Sequence, residues 1–262
     1  RAVNLEEFRK LAEEFNLWII EDSCHAPGGY FIDSKGSRQL CGNGQFADLA
    51  IFSFHPVKHI ACGEGGMITT NDKKLYEKLL KLRTHGITKI EENFQNSIEF
   101  AGGSAEDSTF PNWYMEMQEL GYNYRLTDFQ AALGSSQLKR ADEGLEKRRL
   151  LAARYDKAFT GKNFLKGQSG IIEGHAYHLY VLEVDNRLKL YNYLRENMIF
   201  AQIHYIPCHL MPYYRALGWQ EGDMPQAEDY YRNCISLPMY PTLSENEQDF
   251  VIDQINKFYD AE

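Results

Sequence analysis

The feature that most constrains the fold of this chain is a single lysine set in a turn between two short apolar runs. Ala47-Asp48-Leu49-Ala50-Ile51-Phe52-Ser53-Phe54 is apolar and aromatic-rich and is expected to form a buried strand. His55-Pro56-Val57-Lys58 then turns the chain, Gly63-Glu64-Gly65-Gly66 breaks it, and Met67-Ile68-Thr69-Thr70 reads as the next strand. Such a strand–turn–strand places Lys58 at the rim of a sheet. Burial there disfavours the ammonium form, by up to ~3–5 pKa units at the extreme, and frees the amine as a nucleophile. A solvated loop lysine would be written the same way, so Lys58 acquires meaning only through its partners.

The surrounding pattern is that of an alternating α/β domain. Leu5, Phe8, Leu11, Ala12 and Phe15 recur with a helical period, and Leu17-Trp18-Ile19-Ile20-Glu21-Asp22 follows as an apolar run ending in two acids, expected to be a buried strand. The sequence is therefore expected to open inside a large domain. Its 262 residues allow two units: residues 1–150 as the later part of a large ligand-binding domain, and 151–262 as a smaller α/β domain. A net charge of −9 argues against nucleic acid as partner, and no run of about 18 apolar residues marks a membrane span. Five cysteines, at 24, 41, 62, 208 and 234, are odd in number and contain no C-x-x-C, which reads as reduced thiols in a cytoplasmic protein.

Asp22 closes its strand at the end where open α/β sheets place ligands, and the small-residue loop Ser23-Cys24-His25-Ala26-Pro27-Gly28-Gly29 follows. Ser53 lies five residues before Lys58. Taken singly, Asp22 reads as a cap or turn acid and Ser53 as a strand hydroxyl. Taken together, an acid at one strand end with a hydroxyl and an amine at another fits pyridoxal phosphate: the lysine bonds the cofactor, the acid keeps the pyridine nitrogen protonated, and hydroxyls and amides hold the phosphate.

Three blocks, in order, carry a resemblance: Glu21-Asp22-Ser23-Cys24-His25-Ala26, then Ser53-Phe54-His55-Pro56-Val57-Lys58 with Gly63-Glu64-Gly65-Gly66, then Gly121-Tyr122-Asn123-Tyr124-Arg125-Leu126-Thr127-Asp128-Phe129-Gln130. The chain resembles the DegT/DnrJ/EryC1/StrS nucleotide-sugar aminotransferases. The resemblance implies the type I fold of pyridoxal-phosphate-dependent aminotransferases, α/β in class. It implies the C-terminal part of the large mixed-sheet domain plus a smaller α/β domain, with the family's N-terminal segment missing from this sequence. It implies Lys58 as the cofactor-bearing lysine, Asp22 as partner of the pyridine nitrogen, His25 beside the ring, Ser53 on the phosphate, and Asn123 reaching across a homodimer.

The small-domain phrase His204-Tyr205-Ile206-Pro207-Cys208-His209 implies that His204, Tyr205 and His209 wall the sugar-nucleotide pocket. The expected reaction is transamination at C4 of a UDP-linked 4-keto-6-deoxy-N-acetylamino sugar, with glutamate as donor. A dTDP- or GDP-linked ketosugar, or a non-catalytic cofactor-binding regulator on the same fold, are the alternatives. Relatives that dehydrate sugars replace the lysine by histidine, and Lys58 favours transamination. The two histidines around Cys208 match no zinc spacing, and no metal is expected.

Elsewhere the periodicity predicts a surface helix over 73–82 and a structureless loop over 84–112. One long helix is predicted over 127–159, with Thr127 as N-cap and the charged run 139–143 as a solvated face. Beyond it come a strand over 177–184, a helix over 187–197, a strand over 201–205 and a helix over 244–259 opened by a Ser244–Glu247 capping box.

Overall fold

The computed structural model describes residues 2–104, 106, 108–168 and 170–261. Helix α1, Leu5–Phe15, starts where the Asn4 side chain accepts the Glu6 N–H at 3.0 Å and stops where Asn16 turns left-handed at φ 50°. Strand β1, Ile20–Asp22, then enters a mixed sheet. After a hairpin of β2, Tyr30–Ile32, and β3, Arg38–Leu40, comes β4, Leu49–Ser53, parallel to β1, and β5, Gly66–Thr69, antiparallel to β4. The sheet order is β1-β4-β5, and the register sets Asp22 opposite Ile51 and Ser53 opposite Gly66. Asp22 and Ser53 thus finish neighbouring parallel strands at one edge.

β1 is not the buried strand that its composition predicts. Ile20 is 61% exposed and Trp18 67%, because α1 turns only Leu5 and Ala12 inward and leaves Phe8, Leu11 and Phe15 open. Phe8, Leu11, Trp18 and Ile20 line an apolar cavity of about 510 Å³ that reaches Asp22.

Helix α2, Lys73–Arg83, is capped by Asp72, whose Oδ1 accepts from Lys74 N and Leu75 N. The predicted loop after it is structured, although its residues 105 and 107 lie outside the described set. It holds β6, Ile87–Thr88, and the short helix α3, Ile98–Gly102, while β7, Glu116–Met117, pairs back onto β6. No period marks the stretch because its order comes from rings and one acid: Phe94, Phe110 and Tyr114 pack together, and buried Glu116 accepts from Gln95 N and Asn96 N.

The single helix predicted over 127–159 is two. Helix α4, Asp128–Leu138, opens at Thr127, which is bonded to the Gln130 side chain, and α5, Ala141–Phe159, begins after a break at Lys139 and Arg140. The cause is burial: α4 buries no residue, whereas α5 must turn Leu145, Arg148, Leu151, Ala152, Tyr155 and Phe159 inward. The charged run 139–143 marks this joint and is mostly exposed.

The second sheet is antiparallel, ordered β10-β9-β8, from β8, Leu165–Gln168, β9, Tyr180–Val184, and β10, Cys234–Leu237. β9 alternates strictly, with Tyr180, Leu182 and Val184 buried to 0% exposure on the face covered by α5, by α6, Arg187–Glu196, and by the terminal helix α9, Glu245–Asp260. Each such fully buried aliphatic side chain contributes roughly 1.5–3 kcal/mol. The capping box of α9 forms as predicted, with Ser244 and Glu247 bonded reciprocally. The predicted strand over 201–205 does not form. Only Gln202 pairs, with Ser236, before the chain leaves the sheet toward Pro207 and the short helix α7, Pro212–Arg215. Helix α8, Pro225–Asn233, runs directly into β10.

Candidate active site

The lysine turn is built locally. Lys58 N–H donates to His55 C=O at 2.9 Å, His55 N–H donates to Ser53 Oγ at 3.3 Å, and Phe54 N–H and C=O bond Gly65 and Cys62 across the loop. Gly65 and Gly66 are required here: a Cβ on Gly66 would sit 2.8 Å from Phe52 O, and one on Gly65, at φ +150°, would sit 2.7 Å from Leu126 Cδ1. The result is a half-buried Lys58 beside the carboxyl ends of β1 and β4.

From this position the Lys58 charge acts on Asp22, His25, His59, His178 and His204. Asp22 accepts the Cys24 N–H at 3.0 Å. Hydrogen bonding to Cys24, with the Lys58 charge nearby, holds its carboxyl below the usual range and keeps it ionised at neutral pH. Its side chain is exposed. The neighbouring Cys24 thiol is pushed up to about 11, by burial first and then by Asp22, so it stays protonated and is no competing nucleophile.

His25 packs against His178 with centroids 4.1 Å apart and ring planes tilted by 44°, and His178 lies 5.4 Å from His59. The cluster is neutral. Burial and the Lys58 charge lower His25; burial and the Arg148 charge bring His59 to about 4; burial with the two other imidazoles brings His178 to about 2. His59 Nε2 lies 2.9 Å from Ala176 C=O, an acceptor, which assigns the proton to Nε2. Arg148, 4% exposed, fixes the backbone beneath by donating from Nη1 to the carbonyls of Tyr177, His178 and Met239 at 2.9–3.2 Å. A cavity of about 270 Å³ opens against His25 and His178.

Of the residues predicted from sequence, Asp22, His25, Ser53, Lys58 and His204 converge. His204 Nδ1 lies 2.8 Å from Ser236 Oγ, and burial followed by the Lys58 charge lowers its pKa. Tyr205, 64% exposed, extends from the same segment. Asn123 stands apart: it is exposed and pairs with Thr84. His209 is placed differently from the expectation. It is buried, with Nε2 2.9 Å from Glu228 Oε1, so its ring faces an internal acid. Sequence reasoning missed His59, His178, Arg148 and Glu228. The polar His178 inside the apolar run 177–184 was the one signal available.

The fold is that of an α/β chain with an acid at one strand end and a lysine in the turn after the neighbouring strand. The chain belongs to the DegT/DnrJ/EryC1/StrS aminotransferase family, whose model matches residues 1–256. It is similar to the spore coat polysaccharide biosynthesis protein SpsC of Bacillus subtilis, at 35% identity over 97% of this chain and 63% of the relative. It is also similar to the UDP-4-amino-4,6-dideoxy-N-acetyl-beta-L-altrosamine transaminase of Campylobacter jejuni, at 32% identity over 97% and 62%. Among solved structures it matches Helicobacter pylori PseC, an aminotransferase involved in the biosynthesis of pseudoaminic acid, with a TM-score of 0.83, 28% identity, and coverage of 100% of this chain and 64% of that one. The chain thus spans less than two thirds of the length of these relatives.

Aminotransferases of this family depend on pyridoxal phosphate. The donor set here fits that group: an ionised carboxylate at one strand end, an amine and a hydroxyl at the next, and a neutral imidazole within reach of both charges.

Proposed function

We propose that the whole protein is a pyridoxal-phosphate-dependent aminotransferase that places an amino group at C4 of a UDP-linked 4-keto-6-deoxy-N-acetylamino sugar, with glutamate as donor. The observation that carries this reading is the convergence of the Lys58 and Asp22 charges, with His25 and His204, at one sheet edge. Pyridoxal phosphate, when bound, supplies an electron sink for negative charge at the carbon next to the reacting nitrogen.

Each residue has a part in that chemistry. Lys58 Nζ would hold the cofactor and, as a free amine, would be the group that carries a proton between the reacting carbons. The Asp22 carboxylate holds the proton on the ring nitrogen. Neutral His25 hydrogen-bonds the ring edge without bringing a competing positive charge, and Ser53 with the turn amides holds the phosphate. His204 and Tyr205 wall the sugar-nucleotide side, with His209 behind them as a buttress. Residues 1–150 would form the later part of the cofactor-binding domain and 151–262 the smaller domain. Exposed Asn123, among exposed Leu120, Tyr122, Tyr124 and Phe129, would cross to a second subunit of a cytoplasmic homodimer.

The test is spectroscopic. Full-length protein loaded with cofactor should lose its visible absorbance on adding glutamate and regain it on adding the UDP-ketosugar. Bleaching without recovery would remove the sugar assignment, and no response to any amino donor would favour a binding protein.

A further inference from the structure

We infer that Glu228 is the positioning residue of the wall that carries His204 and Tyr205, an inference that rests on the reading of that wall as the sugar-nucleotide side. The segment 201–211 has almost no ladder of its own. At its start Gln202 and Ser236 exchange backbone hydrogen bonds at 3.0 and 2.7 Å, and His204 Nδ1 meets Ser236 Oγ at 2.8 Å. Tyr205 is then 64% exposed and Cys208 is exposed, so the middle is largely open. At its end His209, 8% exposed, meets Glu228.

Glu228 is built as an anchor. It is 3% exposed, and Oε1 lies 2.9 Å from His209 Nε2 while accepting Gly222 N–H at 2.8 Å and Met224 N–H at 3.4 Å. Oε2 lies 3.7 Å from Arg232 Nη2. One buried carboxylate therefore ties together the turn at 208–210, the loop at 220–224 and α8. Because α8 continues into β10, which carries Ser236, both ends of the wall are fixed to the one continuous piece 225–237. A buried carboxylate is retained only where its hydrogen bonds offset its desolvation, and losing them leaves the partner donors bare. Glu228→Gln keeps the volume but aims an amide N–H₂ toward a donor on at least one side.

Full-length protein is compared with its Glu228→Gln, His209→Gln, double and Tyr205→Ala variants, by hydrogen exchange of the peptide covering 203–211 and by titration with UDP and dTDP. Glu228→Gln should speed exchange in that peptide and weaken the nucleotide that binds the parent by about 5- to 10-fold, the scale of a lost charge-assisted hydrogen bond. The double variant should add little to either single one. The amino-donor half-reaction should stay within about two-fold, since only one substrate touches the wall. If Tyr205→Ala leaves nucleotide affinity unchanged, the reading of the wall fails. If Tyr205→Ala weakens binding while Glu228→Gln changes neither exchange nor affinity, the anchor alone is refuted.

Discussion

The neutral histidine cluster should make this protein acid-sensitive well above the pH at which carboxylates titrate. His59 is held at about 4 and His178 at about 2, against an ordinary 6.5. The sign follows from proton counting. Below about pH 6.5 the unfolded chain binds protons on these two rings that the folded chain refuses, so stability falls as pH falls. Each unit below 6.5 costs ~1.4 kcal/mol per ring, so at pH 5 each contributes a loss of ~2 kcal/mol and the pair ~4. That is a large share of the ~5–15 kcal/mol available to a typical domain. Lys58 and Arg148 both face the cluster and deepen the effect. His25 and His204 are shifted the same way and add to it.

The assay is urea unfolding of the cofactor-free protein, followed by tryptophan fluorescence, at pH 7.5 and at pH 5. Comparing parent with His178→Phe separates the cluster from every other group, since phenylalanine keeps the ring contact with His25 and cannot titrate. The parent should lose ~4 kcal/mol or more between the two conditions, and His178→Phe should lose ~2 kcal/mol less. The depressed carboxylates, Asp22 and Glu116 among them, titrate below this window. Equal acid losses in parent and variant would refute the account of the cluster.

Three further outcomes follow from the packing and the site. Gly86→Ala should cost ~2–4 kcal/mol, because its φ of +70° is strained for alanine and the new Cβ would meet Glu119 O at 1.8 Å; a variant that melts with the parent would contradict that contact. Tyr155→Phe should cost ~1–2 kcal/mol, since Tyr155 is 0% exposed and its hydroxyl donates to Pro238 C=O at 3.0 Å, which chemical denaturation would read directly. Mixing inactive Lys58→Ala and Asn123→Ala subunits of the full-length protein should restore part of the activity, because one site of the mixed dimer carries neither change. Proven mixing without recovery would exclude a shared site.

The sequence made the chemistry easier to read than the packing. Asp22 and Ser53 could be placed because each ends a short apolar run, with Lys58 in the turn that follows, and strand ends are where local pattern and topology agree. The terminal helix and its capping box were legible for the same local reason. What escaped was set by contacts distant in sequence. The burial of α5 but not α4 breaks a helix that looks continuous, and the 84–112 stretch is ordered by Glu116 and a ring cluster that no period reveals. His209 read as a wall of the sugar-nucleotide pocket because its partner, Glu228, is 19 residues away and no local pattern joins the two. His178 meets His25 across more than 150 residues of sequence, and Arg148 acts on the site by holding the backbone at 177–178.

The central claim is that Lys58 is the residue that bears the cofactor. Full-length protein incubated with pyridoxal phosphate, reduced with borohydride and digested should show the pyridoxyl mass on the peptide containing Lys58, and on no other peptide in proportion to the lost visible absorbance. The same treatment of Lys58→Ala should leave no stoichiometric adduct. Modification of a different lysine at full occupancy, or a yellow Lys58→Ala protein that labels like the parent, would contradict the account.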